Sequence, residues 1–489
     1  MTVLTSPSVS TSDSNLNITK MKKIIKYAAL SLGVLLSGCN EYIDILPKGE
    51  KIPQTLEDFK PLLSDEYSVC QMPVAQALYL MNEYFVASNV RGSSDLRAAN
   101  YMWNESADRA NLNRGGESCF YYGYQSINIH NLLCTEVPKC TEASEAERNE
   151  WISYARVLRA LSYLQIVNYY ADAYQADKAA STPGIPLILS ADVNAPYTQV
   201  SVGEIYDFIL SELRDVISLN ALPAQGYTIL HPGKYAAQAV LAKTLLMTGD
   251  YSGALAAAEE ALKGNDQLYD WVEFYNANKD NVDDPANYTN IPSQMGYDNV
   301  ENILYRSGDR SPNYDQNDLN MPLERGAKFE DGDARFAVRW KSYKSNTDTY
   351  YRGMTSGYFN YGGIRTPEIY LIKAECLART GKVAEAMNVV NTVRKTRILP
   401  EKYADMTASS ETDAIRKIYD VKANELVMTL VPFMDAKRLN AEGKVTITLT
   451  KEDNGKTYTL APDSHLWTMV FPYEALTNHG NGSLTQNSK

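Results

Sequence analysis

The sequence has few of the groups from which common catalytic sites are built. Only four histidines occur in 489 residues, and they lie far apart: His130, His231, His465 and His479. Gly-x-x-x-x-Gly-Lys-Ser/Thr loops, His-Glu-x-x-His helices and Gly-x-Ser-x-Gly elbows are absent. The 59 acidic residues could always supply a glycosidase-like pair of carboxylates, so their number carries no specificity. The sequence therefore predicts a protein that is not an enzyme and needs no cofactor.

Cysteine is also scarce, and its number does not suit a disulfide framework. Apart from Cys39, the chain contains Cys70, Cys119, Cys134, Cys140 and Cys376. An odd number leaves at least one free thiol, although Cys134 and Cys140, which flank "TEVPK", could pair. Cys376 lies in an apolar helical run and is predicted to be a small core residue. His130, Cys134 and Cys140 follow no common zinc-ligand spacing, so no metal site is predicted.

Positive charge is in deficit, because 47 lysines and arginines face 59 acidic residues and leave a net charge of −12. Such a surface repels phosphate backbones and anionic lipid headgroups. We therefore expect neither nucleic-acid binding nor electrostatic membrane binding. The acidic stretches "NVDDPANYTN" and "FEDGDARF" lack the full order of a calcium loop and are predicted to be solvated turns.

Long apolar runs are missing as well. The run from Tyr27 to Gly38 is shorter than the roughly 20 residues that cross a bilayer, and four lysines precede it. It ends in Leu36-Ser37-Gly38-Cys39, an order that resembles the bacterial lipobox. The sequence predicts a signal peptide over residues 1–38, with Cys39 lipid-modified at the mature N-terminus. An ordinary signal peptide with an incidental Cys39 is the alternative.

Helical periodicity dominates the rest of the chain. Apolar residues recur at three- and four-residue steps in "ISYARVLRALSYLQIVNYYADAYQ", and "SVGEIYDFILSELRDVISL" begins with a Ser201 cap followed by Glu204. "KYAAQAVLAKTLLMTGDYSGALAAAEEAL" places small residues at tetratricopeptide-like offsets around Gly249, and "YLIKAECLARTGKVAEAMNVVNTVR" repeats the pattern around Gly381. The two glycines lie much farther apart than one repeat of roughly 34 residues, so we expect helical hairpins separated by an insertion.

Strand signals are minor. "KVTITLTKEDNGKTYTL" alternates apolar residues from Val445 and turns at Asn454-Gly455, which predicts a hairpin. The fold class is thus mostly α: a tetratricopeptide-like scaffold of helical hairpins, with a loop-rich insertion lobe and minor β-hairpins. The predicted scaffold helices occupy about residues 117–263 and 366–440 within a body of residues 39–489.

In their order and spacing, these segments resemble the SusD/RagB family, the surface lipoproteins with which Bacteroidetes capture nutrients. The resemblance rests on the lipobox leading into "CNEYIDILPKGE", on "YYGYQSINIHNLL", on "ARVLRALSYLQIVNYYAD", on both hairpin segments, on "FMDAKRL" and on the tail "FPYEALTNHGNGSLTQN". It covers nearly the whole mature chain. One departure is Met434, which stands where members often carry an aromatic residue before the Asp of "DAKRL".

The resemblance implies a function and a partner. Members of the family pack on a TonB-dependent outer-membrane barrel and hold their ligand in a more variable lobe. It implies a cell-surface lipoprotein of the outer membrane that captures oligosaccharide and delivers it to a SusC-like TonB-dependent transporter. Only helices and closed barrels satisfy their backbone hydrogen bonds in lipid. A mostly helical lipoprotein without a barrel of its own cannot move a solute across the membrane, so import needs a separate pore. A peptide ligand, a scaffold that holds a protein without any small ligand, and a hydrolase are the alternatives.

The resemblance also points to the ligand lobe, at about residues 85–116 and 265–360. Sugar-binding surfaces pair exposed aromatic rings with amide, carboxylate or guanidinium groups. "GSSDLRAANYMWNES" and "RSGDRSPNYDQND" have this composition. The candidate ligand contacts are Asp95, Arg97, Tyr101, Trp103, Asn104, Asn313, Tyr314 and Asp315. Trp103 and Tyr314 could instead plug the core, and Trp151, Trp271, Trp340 and Trp467 are predicted to be packing residues.

Overall fold

The computed structural model describes residues 53–65, 69–70, 72–114, 118–284, 296–308, 320–345, 347–353, 360–478 and 480–488. The body of the chain forms a unit that begins at Gln54. The predicted signal peptide and Cys39 lie outside the described residues, as do Asn313, Tyr314 and Asp315. Within the described residues, no helix combines the length and the apolar character that crossing a bilayer requires.

Short helices open the described chain. They are α1 (Leu56–Phe59), α2 (Ala75–Leu80), α3 (Ser88–Arg91), α4 (Leu96–Tyr101) and α5 (Arg109–Leu112). Asp95 and Asp108 cap α4 and α5, since each carboxylate accepts a hydrogen bond from a backbone N–H in the first turn. The described part of the first predicted ligand segment, residues 85–114, therefore folds as three short helices joined by loops, and carboxylates cap the last two.

Three long helices form the first part of the scaffold: α6 (Ser118–Glu136), α7 (Glu145–Tyr170) and α8 (Val202–Leu219). A short antiparallel pair, β1 (Pro183–Leu187) and β2 (Thr198–Ser201), links α7 to α8. The predicted cap of α8 is confirmed, because Ser201 and Glu204 form a reciprocal capping box. The buried Arg159 of α7 donates to Glu212 of α8 and, at 2.8 Å, to Asn131 of α6, and so joins all three helices.

The two tetratricopeptide-like segments form helical hairpins that pack on each other. The first pairs α9 (Lys234–Thr248) with α10 (Tyr251–Leu262), and the insertion carries α11 (Trp271–Asp283). Gly249, at φ +81°, makes the turn of this hairpin, in the left-handed region that glycine adopts without strain. Buried alanines such as Ala254 and Ala258 let the helices approach closely.

The second hairpin contacts the first although a long insertion separates them in sequence. It pairs α14 (Thr366–Arg379) with α15 (Val383–Lys395), and α14 packs on α10. Helices α16 (Glu411–Glu425), α17 (Val431–Glu442) and α18 (Tyr473–Thr477) follow it in the chain. Cys376 of α14 is fully buried, as predicted.

The insertion carries small antiparallel sheets and two short helices. Strand β3 (Asn302–Leu304) pairs with β7 (Ile364–Arg365), and β4 (Asn320–Met321), β6 (Thr349–Gly353) and β5 (Trp340–Lys344) form a three-stranded sheet in that order. The helices are α12 (Leu323–Gly326) and α13 (Ala334–Arg339). All four tryptophans predicted to pack, Trp151, Trp271, Trp340 and Trp467, are buried.

The C-terminal hairpin is shorter than predicted. Strand β8 (Leu449–Asp453) pairs with β9 (Lys456–Leu460) around the predicted Asn454-Gly455 turn, whose two positive φ values suit a type I′ turn. Val445 and Ile447 are buried but lie outside the ladder. The Asn440 side chain explains this, because it accepts from the Ile447 N–H and donates to its carbonyl, which ties that segment to α17.

A possible Cys134–Cys140 disulfide is not formed. Cys134, Cys140 and Cys376 are free thiols. The Cys140 sulfur lies 3.6 Å from the Gln54 carbonyl oxygen and 3.8 Å from that of Glu136, so its thiol faces backbone acceptors. The described residues contain no cluster of histidine, cysteine and acidic side chains that could hold a metal ion.

A buried charge network fastens the insertion to the scaffold. Its members are Glu301, Asp333, Arg335, Arg365, Arg397 and Glu425. Arg397 lies 3.0 Å from a Glu425 oxygen and 2.5 Å from a Glu301 oxygen, and Arg335 also contacts Glu425. Burial opposes the charge on Glu425, but Arg397, Arg335 and Arg365 together hold its pKa well below the ordinary value.

Candidate functional site

Three of the predicted ligand residues are exposed in whole or in part, and all three have local structural partners. Asp95 caps α4 through the Ala98 N–H at 2.7 Å and lies 3.3 Å from Arg97. Burial opposes its charge, but these hydrogen bonds and Arg97 hold the pKa of Asp95 below its usual value. Asn104 accepts from both the N–H and the hydroxyl of Ser106. Ligand contact by Asp95, Arg97 and Asn104 stays a prediction.

Tyr101 and Trp103 do not offer the open rings that the ligand prediction requires. Trp103 is 6% exposed and Tyr101 only 3%. The Trp103 indole N–H donates to the Leu80 carbonyl at 2.8 Å, and its backbone has φ +51°, which a bulky residue adopts only where its surroundings fix it. Trp103 is therefore not an exposed stacking platform. It plugs the core, which is the alternative that the sequence also allowed.

A buried lysine explains part of this arrangement. The Lys451 ammonium, on β8, lies 3.5 Å from the centre of the Tyr101 ring and 4.3 Å from that of Trp103, and it donates to the Tyr101 carbonyl. Burial lowers the pKa of Lys451 to about 7, whereas the two ring faces favour the charged form. The rings therefore face the C-terminal hairpin.

The two predicted ligand-lobe segments meet at a surface that we call the aromatic patch: Phe85, Arg91, Tyr343, Asp348, Tyr350 and Arg352. Phe85 stacks on Tyr350 with ring centres 4.4 Å apart and planes 21° apart. The Phe85 N–H donates to the Asn320 carbonyl at 2.8 Å, and the Ser88 N–H donates to the Asp348 carboxylate at 3.1 Å. Segments 85–116 and 265–360 are thus joined by direct contacts.

The register of the three-stranded sheet puts aromatic and cationic side chains on one face. Tyr343 lies directly opposite Tyr350, and Lys341 lies opposite Arg352. Directly paired residues share a face of a sheet, and alternate residues point to the same side. The Tyr343 ring is 42% exposed, lies 5.4 Å from Tyr350 and has the Arg352 guanidinium over it at 5.6 Å.

Arg91 holds the patch together. Its Nη2 lies 3.3 Å from Asp348, its Nη1 binds Asp453 of the C-terminal hairpin, and its guanidinium lies 5.2 Å from the centre of the Phe85 ring. Burial opposes the charge on Asp348, but hydrogen bonds from Ser88 and Thr347 and the charge of Arg91 lower its pKa. The patch therefore presents aromatic rings on a fixed base, with charged hydrogen-bonding groups at its edge.

None of the patch residues was among the candidates from the sequence. The relevant signal is the pair of segments "KSYK" and "TYYR", in which tyrosines and cations alternate with period two. Phe85 and Arg91 carry no comparable pattern. Asn313, Tyr314 and Asp315 remain predicted contacts outside the described residues; residue 320, beyond that segment, lies beside Phe85.

The fold matches solved structures from Bacteroides species. A SusD superfamily protein of Bacteroides thetaiotaomicron is 19% identical, with a TM-score of 0.67 over 89% of this chain and 100% of that one. A putative sugar binding protein of Bacteroides vulgatus is 18% identical, with a TM-score of 0.66 over 90% of this chain and 99% of that one. Surface glycan-binding protein A of Bacteroides uniformis is 16% identical, with a TM-score of 0.64 over 88% of this chain and 99% of that one. No curated protein sequence matches the chain.

A family model adds sequence-level support. Residues 41–246 match the SusD-like family described as starch-binding and associating with the outer membrane. The matched segment includes α1–α8 and most of α9. Beyond it, the similarity of fold to the Bacteroides thetaiotaomicron structure extends over 89% of the chain. The sequence match over residues 41–246 and the shared fold together support the resemblance to the SusD/RagB family.

Proposed function

We propose that this protein is a surface glycan-binding lipoprotein that captures an oligosaccharide at the aromatic patch and passes it to a SusC-like TonB-dependent transporter. The observation that carries the proposal is the exposed Tyr343 ring beside Tyr350, Arg352 and Asp348. The description of the matched family and the names of two proteins of similar fold, a sugar binding protein and a surface glycan-binding protein, support carbohydrate as the ligand. The proposal assigns binding and no catalytic step.

The patch has the chemistry that a sugar requires. A pyranose ring has an apolar C–H face and hydroxyl groups at its edge, so it stacks on an aromatic ring while neighbouring polar groups bind the hydroxyls. Tyr343 supplies a ring face, and Arg352 supplies a hydrogen-bond donor. The Asp348 carboxylate already accepts from Ser88 and Arg91 and so helps to hold the base of the patch. Because Phe85 and Arg91 hold the base of the patch, little side-chain freedom is lost on binding.

We expect Tyr343→Ala to weaken oligosaccharide binding about five- to tenfold, since a lost aromatic contact costs about 1–1.5 kcal/mol. The side chain is partly exposed, so the free energy of unfolding should change little. Calorimetric titration with the best ligand from a glycan screen measures the effect. Tyr343→Phe keeps the ring face and serves as the matched control. Unchanged affinity in a well-folded Tyr343→Ala variant would exclude the patch as the ligand site.

The lipid anchor is proposed from "LSGC" at residues 36–39. Cys39→Ala should leave an unlipidated precursor that no longer partitions into the detergent phase. Intact-mass measurement and detergent partitioning check this, and Cys134→Ser, which removes a thiol elsewhere, should behave like the wild type. If mass and partitioning are the same in Cys39→Ala and the wild type, Cys39 is not the anchor.

A further inference from the structure

A second cleft lies outside the aromatic patch, where the α8–α9 connection faces the segment after α10. It has a volume of about 430 Å³, within the range of small-molecule sites, which is roughly 300–1,000 Å³. Tyr227, Thr228 and His231 line one side, and Tyr235 and Asn265 line the other. We call it the Tyr227 cleft; it shares no residue with the patch.

Tyr227 is an exposed ring on a rigid base. Its side chain is 68% exposed, and yet its ring lies 5.7 Å from Trp151 and 5.6 Å from His231. The Tyr227 N–H donates to the Tyr154 hydroxyl at 3.2 Å, which fastens the loop to α7. An aromatic ring that is both open and already fixed loses little entropy when a ligand stacks on it.

The same loop is closely packed at its turn. A Cβ on Gly226 would lie 1.8 Å from the His231 carbonyl oxygen, so only glycine fits there. Across the cleft, the Asn265 amide donates to the Val300 and Asn302 carbonyls, and its oxygen accepts from the Gln267 N–H. Both walls are therefore formed before a ligand arrives.

The lining of the cleft is uncharged. Among the described residues that line it there is no aspartate, glutamate, lysine or arginine. Burial lowers the pKa of His231 to about 4, so this histidine is neutral at pH 7. Lys234 lies over the Tyr235 ring at 4.7 Å but is not part of the lining, which leaves Tyr227 as the ring available for stacking.

Two other clefts are lined in part by charged side chains, unlike the Tyr227 cleft. One, of about 630 Å³, is lined by charged groups that include Asp172, Lys437 and Asp463. The other, of about 470 Å³, includes Lys328 and Glu330. An uncharged lining gives a charged ligand no partner to offset its lost hydration, whereas a neutral hydroxylated ligand needs only hydrogen bonds.

Amide side chains at the rim of the cleft can supply the hydrogen bonds that a hydroxylated ligand needs. Gln225 and Gln267 are exposed and line the cleft, and their side chains have no hydrogen-bond partner among the described residues. Each amide can both donate to and accept from a hydroxyl group. We propose that the Tyr227 cleft is a second binding site, which takes a neutral saccharide by stacking on Tyr227 and hydrogen bonding to these amides.

The test places 3-fluorotyrosine at position 227 of the full chain and follows its fluorine resonance during titration. The neutral probes are maltoheptaose, cellohexaose and mannohexaose, and the acidic probe is an oligogalacturonate, each to about 10 mM so that millimolar binding is visible. We expect a saturable shift with at least one neutral probe and none with the oligogalacturonate. No saturable shift with any neutral probe, or an equal response to the acidic one, overturns the proposal.

Variants separate this site from the aromatic patch. In a Tyr343→Ala background, Tyr227→Ala should weaken the remaining calorimetric binding about five- to tenfold, and Tyr227→Phe should retain it. Tyr121→Ala, another exposed tyrosine, is the control. If Tyr343→Ala abolishes all binding and the resonance at position 227 no longer responds, the second site is refuted while the patch stands. If Tyr227→Ala removes all binding and Tyr343→Ala removes none, the patch is refuted as a ligand site and the Tyr227 cleft stands.

Discussion

Replacing Glu425 by glutamine should lower the free energy of unfolding by about 3–5 kcal/mol, the cost of breaking a buried ion pair from one side. The Glu425 carboxylate contacts Arg335, Arg365 and Arg397, and its side chain is 1% exposed. Glutamine removes the negative charge and one acceptor oxygen, so the three buried guanidinium groups are left with fewer hydrogen-bond acceptors. Denaturant unfolding of the purified variant measures the loss.

The effect should depend on pH in a defined direction. The folded-state pKa of Glu425 lies below its unfolded value of about 4.3. The carboxylate therefore contributes its full stability above that value and loses it as the pH falls toward the folded pKa. The difference between wild type and Glu425→Gln should be constant from pH 6 to 7 and should narrow in acid, below about pH 4.

An exposed ion pair provides the control. Glu260 pairs with Lys263 on the surface of the scaffold, and exposed pairs contribute about 0–1 kcal/mol. Glu260→Gln should therefore be nearly neutral. A Glu425→Gln variant as stable as Glu260→Gln would show that the buried network does not fasten the insertion to the scaffold.

Trp103→Ala should cost about 3–5 kcal/mol of stability, because it leaves a cavity where a buried indole packed. It also removes the hydrogen bond to Leu80 and uncovers the Lys451 ammonium. We expect a clear fall in the unfolding free energy, measured beside an oligosaccharide titration.

The matched control for Trp103→Ala is Tyr121→Ala, which truncates an exposed ring and should leave stability nearly unchanged. If Trp103→Ala were as stable as the wild type and failed to bind glycan, Trp103 would be a ligand platform after all. Its burial would then have to change on binding.

The helical scaffold could be predicted from the sequence because its signals are local. The capping box at Ser201, the turn at Gly249 and the small residues around it depend on neighbours within a few turns of helix. The end of the C-terminal hairpin could not be predicted. It depends on Asn440, whose side chain withdraws Ile447 from the ladder by contacts that no period in the strand reveals.

The candidate site was only partly predictable. The sequence indicated the two segments but not their contact, because the Phe85–Tyr350 stack and the Arg91–Asp348 pair join residues about half the chain apart. A tryptophan in a polar loop suggested an exposed platform. Whether such a ring faces water or the core depends on Leu80 and Lys451, which are remote from it in sequence.

The most direct test of the account is a binding screen of the purified wild-type chain against immobilised glycans and peptides. The account predicts saturable binding to at least one glycan, weakened when Tyr343 is replaced by alanine. Binding to peptides and to no glycan would contradict it, as would glycan binding that Tyr343→Ala leaves unchanged.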